Sequence, residues 1–216
     1  MNDYKLIIFD WDGTLMDSVD RIVSSMQAAA ITVNITPPSD LAVKNIIGMS
    51  LDDAMIELFP DASLSTREAL KLAYKEQYVS LNKTPTQLFE HALNLLETLT
   101  GHQKILAVAT GKARDGLERV WEATGTKHFF KSSRCAVECQ SKPHPEMLLA
   151  LLNELTIAPQ HAVMIGDTIH DLGMANNAGI DSIGVTYGVH THTELSRYNP
   201  KAIVNSLTEL ERLLVN

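Results

Sequence analysis

Lys5-Leu6-Ile7-Ile8-Phe9-Asp10-Trp11-Asp12-Gly13-Thr14-Leu15 is the stretch whose pattern decides the fold. Its apolar run, residues 6–9, stops abruptly at Asp10. Such a run suits a short strand buried on both faces, as in a parallel sheet. Asp12-Gly13 then marks a turn at the carboxyl end of that strand.

Working outward, the chain changes texture on the C-terminal side. Asp17 and Ser18 offer a helix cap, and Val19, Ile22, Val23, Met26 and Ala30 repeat with helical spacing. After Pro37 and Pro38 a second helix is predicted over 39–47, stopping at Gly48. Ser50 with Asp53 opens a third, which Pro60 closes, and Ser65 with Glu68 reads as a capping box for a fourth. This stretch carries four helices and no strand signal. From Thr86 onward, helices alternate with short apolar strands. Leu88, Ala92, Leu95, Leu96 and Leu99 mark a helix ended by Gly101, followed by a strand at 105–109 and a helix at 113–123 closed near Gly125. A short strand is predicted within 135–137, a helix over 145–155 with Pro in its first turn, and a strand at 162–165. A helix to Ala178, a strand at 182–185 and a last helix capped by Ser206 with Glu209 complete the series. The expected fold is α/β: a three-layer, Rossmann-like core with a parallel sheet at residues 1–15 and 85–216, interrupted by an inserted four-helix module at 16–84.

Composition narrows the function. The 216 residues hold 18 Lys+Arg against 26 Asp+Glu, a formal net charge of −8, with 45% hydrophobic and 20% charged residues. A chain of this size and composition buries a real core and is not disordered. The acidic balance, with no Lys/Arg-rich run, argues against a nucleic-acid binder. No apolar run is long enough to span a bilayer, and Asp10 and Asp12 interrupt the N-terminal one, so no signal peptide is expected. Two cysteines make no disulfide framework and, at 135 and 139, lack a second Cys/His pair at zinc spacing. The expectation is a soluble cytoplasmic protein.

Three predicted strands end in unusual polar clusters: Asp10 to Thr14, then Thr110-Gly111-Lys112, then Gly166-Asp167 with Asp171 four residues on. Ligands of open α/β sheets sit beyond the carboxyl ends of the strands, so all three clusters converge on one crevice. Lys142 adds a cation on the connection between the last two. Three carboxylates in one crevice call for a hard divalent cation, and Mg²⁺ takes a few carboxylate oxygens, keeps waters and bridges to phosphate. The residues thus point to metal-assisted phosphoryl chemistry.

The same residues resemble the haloacid-dehalogenase-like hydrolase superfamily, in particular its phosphoglycolate-phosphatase-like branch. Asp10-Trp11-Asp12-Gly13-Thr14-Leu15 looks like its first motif and Thr110 its second. Lys142-Pro143-His144-Pro145 looks like the third, and Gly166-Asp167-Thr168-Ile169-His170-Asp171 the fourth. The resemblance covers essentially the whole chain and implies that the insert is a helical cap. It implies Asp10 as nucleophile, forming an aspartyl-phosphate, and Asp12 as general acid and then base. Mg²⁺ would be held by Asp10, the Asp12 backbone carbonyl, Asp167 and Asp171. Lys142 and the Thr110 hydroxyl would stabilise the phosphoryl group, with Gly13, Thr14 and Gly111 completing a phosphate cradle.

The substrate implied is a small phosphorylated metabolite, with no nucleic acid or membrane as partner, acted on by a monomer or homodimer. Phosphoglycolate fits if one of Lys44, Arg21, Lys112 or Arg114 reaches its carboxylate. Asp12 excludes dehalogenases, whose halide leaves without a proton. Two alternatives remain: a sugar-phosphate mutase of the β-phosphoglucomutase type, and, from another class, a signalling module phosphorylated on an Asp. Against the first, Gly48 is not followed by the Arg such mutases carry. Against the second stand chain length and the helical insert. His190 and His192 read as solvated loop residues. Trp11, where the family usually has an aliphatic residue, either walls the phosphate pocket or packs under the cap.

Overall fold

A computed structural model describes residues 4–215 of the chain; residues 1–3 and 216, assigned above to the core, lie outside the described residues. The chain opens with β1 (Leu6–Phe9), whose four residues are fully buried, and β2 (Met16–Asp17). Four helices follow: α1 (Val19–Thr32), α2 (Asp40–Ile46), α3 (Leu51–Leu58) and α4 (Leu64–Glu76), the last running into a π-helical turn at Gln77–Leu81. The chain then forms β3 (Gln87–Leu88), α5 (Ala92–Gly101), β4 (Ile105–Thr110), α6 (Arg114–Thr124) and β5 (Phe130–Cys135). It continues through α7 (Glu146–Leu155), β6 (Ala162–Gly166), α8 (Ile169–Ala178) and β7 (Asp181–Val185), and ends with α9 (His192–Ser196), β8 (Ala202–Val204) and α10 (Leu207–Val215).

Six strands make one parallel sheet in the order β5-β4-β1-β6-β7-β8. Successive side chains of a strand face opposite ways. Ile7 and Phe9 therefore pack on Leu95, Leu99, Leu117 and Leu210 on one face, and Leu6 and Ile8 on Met147, Leu151 and Met174 on the other. This is the expected three-layer α/β core. Helices α1 to α4 build a core of their own around Ile22, Met26, Val43, Met55 and Leu70. Among the described residues no helix is long and apolar enough to cross a membrane.

Several local expectations change. Met16 and Asp17 pair antiparallel with Leu88 and Gln87, so a two-stranded ribbon stands where no strand was expected and Leu88 belongs to a strand rather than a helix. The strand expected within 135–137 lies instead at Phe130–Cys135. It is an edge strand, paired only with β4, and its Lys131, Ser132, Ser133 and Arg134 carry no apolar signal. The short β8 and α9 gave none either. Trp11 is fully buried beneath the sheet end, edge-on to Trp121 at 6.5 Å and to Phe130 at 6.0 Å, so it walls no pocket. Ser63, not Ser65, caps α4 by accepting a hydrogen bond from the Thr66 N–H at 3.2 Å.

That cap gives a simple test. Ser63→Ala is expected to cost about 1 kcal/mol of stability, the usual loss for a hydroxyl N-cap. Ser65→Ala removes only an exposed hydroxyl pair and should stay within about 0.5 kcal/mol of the parent, a typical surface value. Urea unfolding of both variants measures the difference.

Candidate active site

The topology places β1 at the centre with β4 and β6 on either side, so Asp10 and Asp167 just follow β1 and β6 and Thr110 ends β4, at the same end of three neighbouring strands. Beyond β1 the chain folds back on itself. The Trp11 carbonyl accepts from the Leu15 and Met16 N–H groups at 3.0 Å each, and Gly13, at φ +82°, donates to the Met16 carbonyl at 2.8 Å. A Cβ at Gly13 would lie 2.2 Å from Asp167 Oδ2, so only glycine permits this approach. Asp167 is fixed by the Thr14 hydroxyl at 2.8 Å on one oxygen and the Val189 N–H at 2.9 Å on the other.

Lys142 joins the carboxylates. Its ammonium, wholly buried, donates to Asp10 Oδ1 at 2.6 Å and to Asp171 Oδ1 at 2.7 Å. The second Asp171 oxygen accepts from the Thr168 N–H and hydroxyl, and the Thr168 hydroxyl oxygen accepts from the Asp171 N–H, so the residue both caps α8 and faces the crevice. Asp10, Asp167 and Asp171 each offer one oxygen within 4.8 Å of the others. Asp10 Oδ2 is buried without a hydrogen-bond donor. Burial, then the Asp171 and Asp12 charges, push the Asp10 carboxyl up to about 7 against the pull of Lys142. Burial, then the Asp171 and Asp10 charges, hold Asp167 well above the usual range. Burial alone would lower Lys142, yet Asp10 and Asp171 keep it above its ordinary value. An orphan oxygen and three crowded carboxylates against one touching ammonium fit a divalent cation.

Asp12 stands apart from this set. Its Oδ1 accepts from the Ser18 hydroxyl at 2.6 Å and its Oδ2 pairs with Lys112 at 3.0 Å. Ser18, expected as a helix cap, makes no such bond and serves Asp12 instead. The Thr110 oxygen accepts from the Lys112 N–H at 3.2 Å, which leaves its hydroxyl hydrogen to donate elsewhere. Gly111 is pressed against the α2–α3 loop, where an added Cβ would lie 2.3 Å from the Met49 carbonyl. The same loop is tied to the core by the Ser50 N–H donating to Ser141 Oγ at 2.7 Å, and α2 by His170 Nε2 near the Asn45 carbonyl at 2.8 Å. Ser18, Ser141, Thr168 and Val189 were not singled out as site residues, because a lone hydroxyl or main-chain N–H carries no sequence signal. His190 is a correction: it is buried, with Nδ1 unpartnered, and burial lowers its pKa.

Asp10, Asp12, Thr110 and Lys112 floor a cavity of about 170 Å³ roofed by the helical unit. None of the four cations expected for a second anion is free to serve there. Arg21 donates to the Tyr78 and Thr84 carbonyls, Lys112 is paired with Asp12, Arg114 with Glu138, and Lys44 does not line the cavity.

Residues 7–185 match the family described as haloacid dehalogenase-like hydrolase. The chain is 33% identical to "Probable phosphatase IndB" of Dickeya dadantii (strain 3937), over 95% of this chain and 91% of that one. It is 28% identical to a phosphoglycolate phosphatase of Vibrio cholerae, over the full length of both. A haloacid dehalogenase-like family hydrolase from Streptococcus pneumoniae shares the fold, with a TM-score of 0.85 at 24% identity over 99% of each chain.

The tight seam at Gly111 predicts that even a methyl group there impairs function. Gly111→Ala must push the Gly48–Met49 loop away by more than an ångström, a misplacement worth roughly 10²-fold in rate. Phosphate release should fall by about that factor, and because the displaced atoms are backbone the thermal midpoint should drop too, while circular dichroism keeps its shape.

Proposed function

The chain belongs to the haloacid dehalogenase-like hydrolase family and is a phosphatase of its phosphoglycolate-phosphatase-like branch, and we propose that it hydrolyses a small phosphomonoester through an aspartyl-phosphate on Asp10. The observation that carries this reading is the pair of differently held aspartates. Asp10 lies in a closed crevice with one oxygen on Lys142 and the other without a donor, whereas Asp12 is turned to Ser18 and Lys112.

An Asp10 oxygen attacks phosphorus, the bond from phosphorus to the alcohol oxygen breaks, and Asp12 gives that oxygen its proton. Water then loses a proton to Asp12 and attacks the same phosphorus, releasing inorganic phosphate and restoring Asp10. Lys142 and the Thr110 hydroxyl, with the main-chain N–H of Gly111, would face the phosphoryl oxygens, whereas the expected N–H groups of Gly13 and Thr14 are taken by the Met16 and Trp11 carbonyls. Mg²⁺ is the proposed cofactor: Asp10, Asp167 and Asp171 would hold it, with the Asp12 carbonyl as the family resemblance implies. When bound, it supplies positive charge against the repulsion between a carboxylate and a phosphate dianion, about 4 kcal/mol per charge pair at 4 Å and an effective dielectric of 20. The proposed partner is a small phosphorylated metabolite, not nucleic acid or membrane, and the proposed setting is the cytoplasm. Family membership and the buried position of Asp10 speak against the signalling module, whose aspartate must be reached by another protein.

Asp10→Asn should abolish turnover. Asp12→Asn should slow it by roughly 10²–10⁴-fold for alkyl esters and by less for p-nitrophenyl phosphate, whose leaving group needs little protonation. Parent-like rates for Asp10→Asn would remove it as nucleophile. Excess EDTA should stop phosphate release, added Mg²⁺ should restore it, and Ca²⁺, with its looser and larger coordination, should inhibit.

A further inference from the structure

We propose that the alcohol half of the substrate is uncharged and apolar, a single ring or branched chain of about four to six carbons, sized by comparison with a cavity of about 150 Å³ that holds benzene. This proposal rests on the phosphatase reading above and assigns the recognition of the leaving group to the helical unit.

The cavity over Asp10 and Asp12 provides the observation. At its floor stand the polar groups already described, which address a phosphoryl group. Above them the walls are Ile22 and Met26 of α1, Ile47 and Met49 of the α2–α3 connection, and the rings of Tyr74 and Tyr78. Tyr74 and Tyr78 lie 5.8 Å apart, tilted by 33°. Arg21 and Lys112 sit over the Tyr78 ring at 5.2 and 5.1 Å, so these cations are held by an aromatic face as well as by their carbonyl and carboxylate partners. The remaining basic residues along the cavity, Lys75 and Arg119, are exposed at its mouth. A carboxylate placed beside Ile47 and Met26 would lose its water and find no free cation there, only the phenol hydroxyls of Tyr74 and Tyr78 as donors, which do not repay the cost. Apolar carbon in the same place gains by leaving water. Lys142, Asp167 and Asp171 do not line this cavity of about 170 Å³, so the phosphoryl group takes only its floor and the rest is left to the alcohol.

A series of n-alkyl phosphates from ethyl to octyl tests the proposal on the intact protein with Mg²⁺. These alcohols have nearly equal leaving-group basicity, so changes in kcat/KM report binding of the chain and not proton demand. The expected result is a rise of about fourfold per methylene, the transfer value of a buried CH₂, up to pentyl or hexyl and then a plateau or fall. 2-Phosphoglycolate should lie at least tenfold below pentyl phosphate. Two variants move the optimum in opposite directions: Ala54→Leu, at the cavity wall, towards shorter chains, and Met26→Ala towards longer ones. Should Ala54→Leu not fold, the shift in Met26→Ala still decides. Phosphate release that is flat along the series, or faster for 2-phosphoglycolate than for pentyl phosphate, overturns the apolar leaving group and leaves the Asp10 chemistry standing. No phosphate release above the Asp10→Asn background from any ester overturns both.

Discussion

The buried ammonium of Lys142 is the contact on which the site depends. It bridges Asp10 and Asp171 with its side chain fully sealed from solvent, and an Asp167 oxygen lies within 4.8 Å of one oxygen of each. Burial of an unpaired carboxylate is prohibitive, and even a paired one costs several kcal/mol. With one ammonium among three carboxylates, this cluster is not there for stability. Replacing it with packed hydrophobic side chains would hold the sheet together equally well. The excess negative charge is tolerable where a cation and a reacting phosphoryl group share the space; burial first, and then the mutual repulsion of the carboxylates, raises Asp10 and Asp167 above their ordinary ionisation range.

The fold sets up this contact through its strand order. The chain runs from β1 outward to β4 and β5, then crosses back to β6 on the other side of β1. Its return path carries Lys142 over the carboxyl ends of the strands, and the reversal of direction on either side of β1 opens the crevice there. Glycines finish the geometry. Gly13, Gly166 and Gly188 each approach a carboxylate so closely that a Cβ would lie within 2.3 Å of an atom of Asp167 or Asp171. Backbone thus takes the place of side-chain bulk around the acids, and the N–H of Val189 can reach Asp167 directly.

Which features were legible in the sequence follows from what each signal measures. Central strands such as Ile105–Thr110 and Ala162–Gly166 are buried on both faces, so apolar runs mark them within one residue. The edge strand Phe130–Cys135 has one solvated flank and alternates no clear pattern, and the two-residue ribbon strands are too short to have a period. Residues carrying charge at strand ends stood out: Asp10, Asp12, Asp167, Asp171 and Lys142 are all brought to one crevice. Their supports did not. Ser18 is read from sequence as a helix cap because a serine before a helix usually is one, and only the three-dimensional path of residues 11–16 turns its hydroxyl to Asp12. His190 looked like a loop residue and is one, but its loop is folded under the site by the bond from its N–H to the Asp167 carbonyl.

The two halves of the cavity obey different physics, and this explains why they reside in different parts of the chain. Holding a phosphoryl group requires a few groups placed within tenths of an ångström, which only a sheet with several strands fixed in register provides. Enclosing an alcohol group requires area and shape, which Ile22, Met26 and Ile47 supply without directional bonds. These wall residues belong to the helical unit's own apolar core, apart from that of the sheet, so substitutions among them alter the second property and the packing of that unit while leaving the strand register alone. The seam between them is correspondingly thin in directional contacts: the Ser50 N–H to Ser141, the His170 ring near the Asn45 carbonyl, the Lys112 ammonium over the Tyr78 ring, and the close passage of Gly111 under Met49. Two such hydrogen bonds contribute about 0.5–1.5 kcal/mol each. Burial of the shared cavity wall therefore carries most of the closure, and an apolar group that fills the cavity adds to the very surface that holds the two units together.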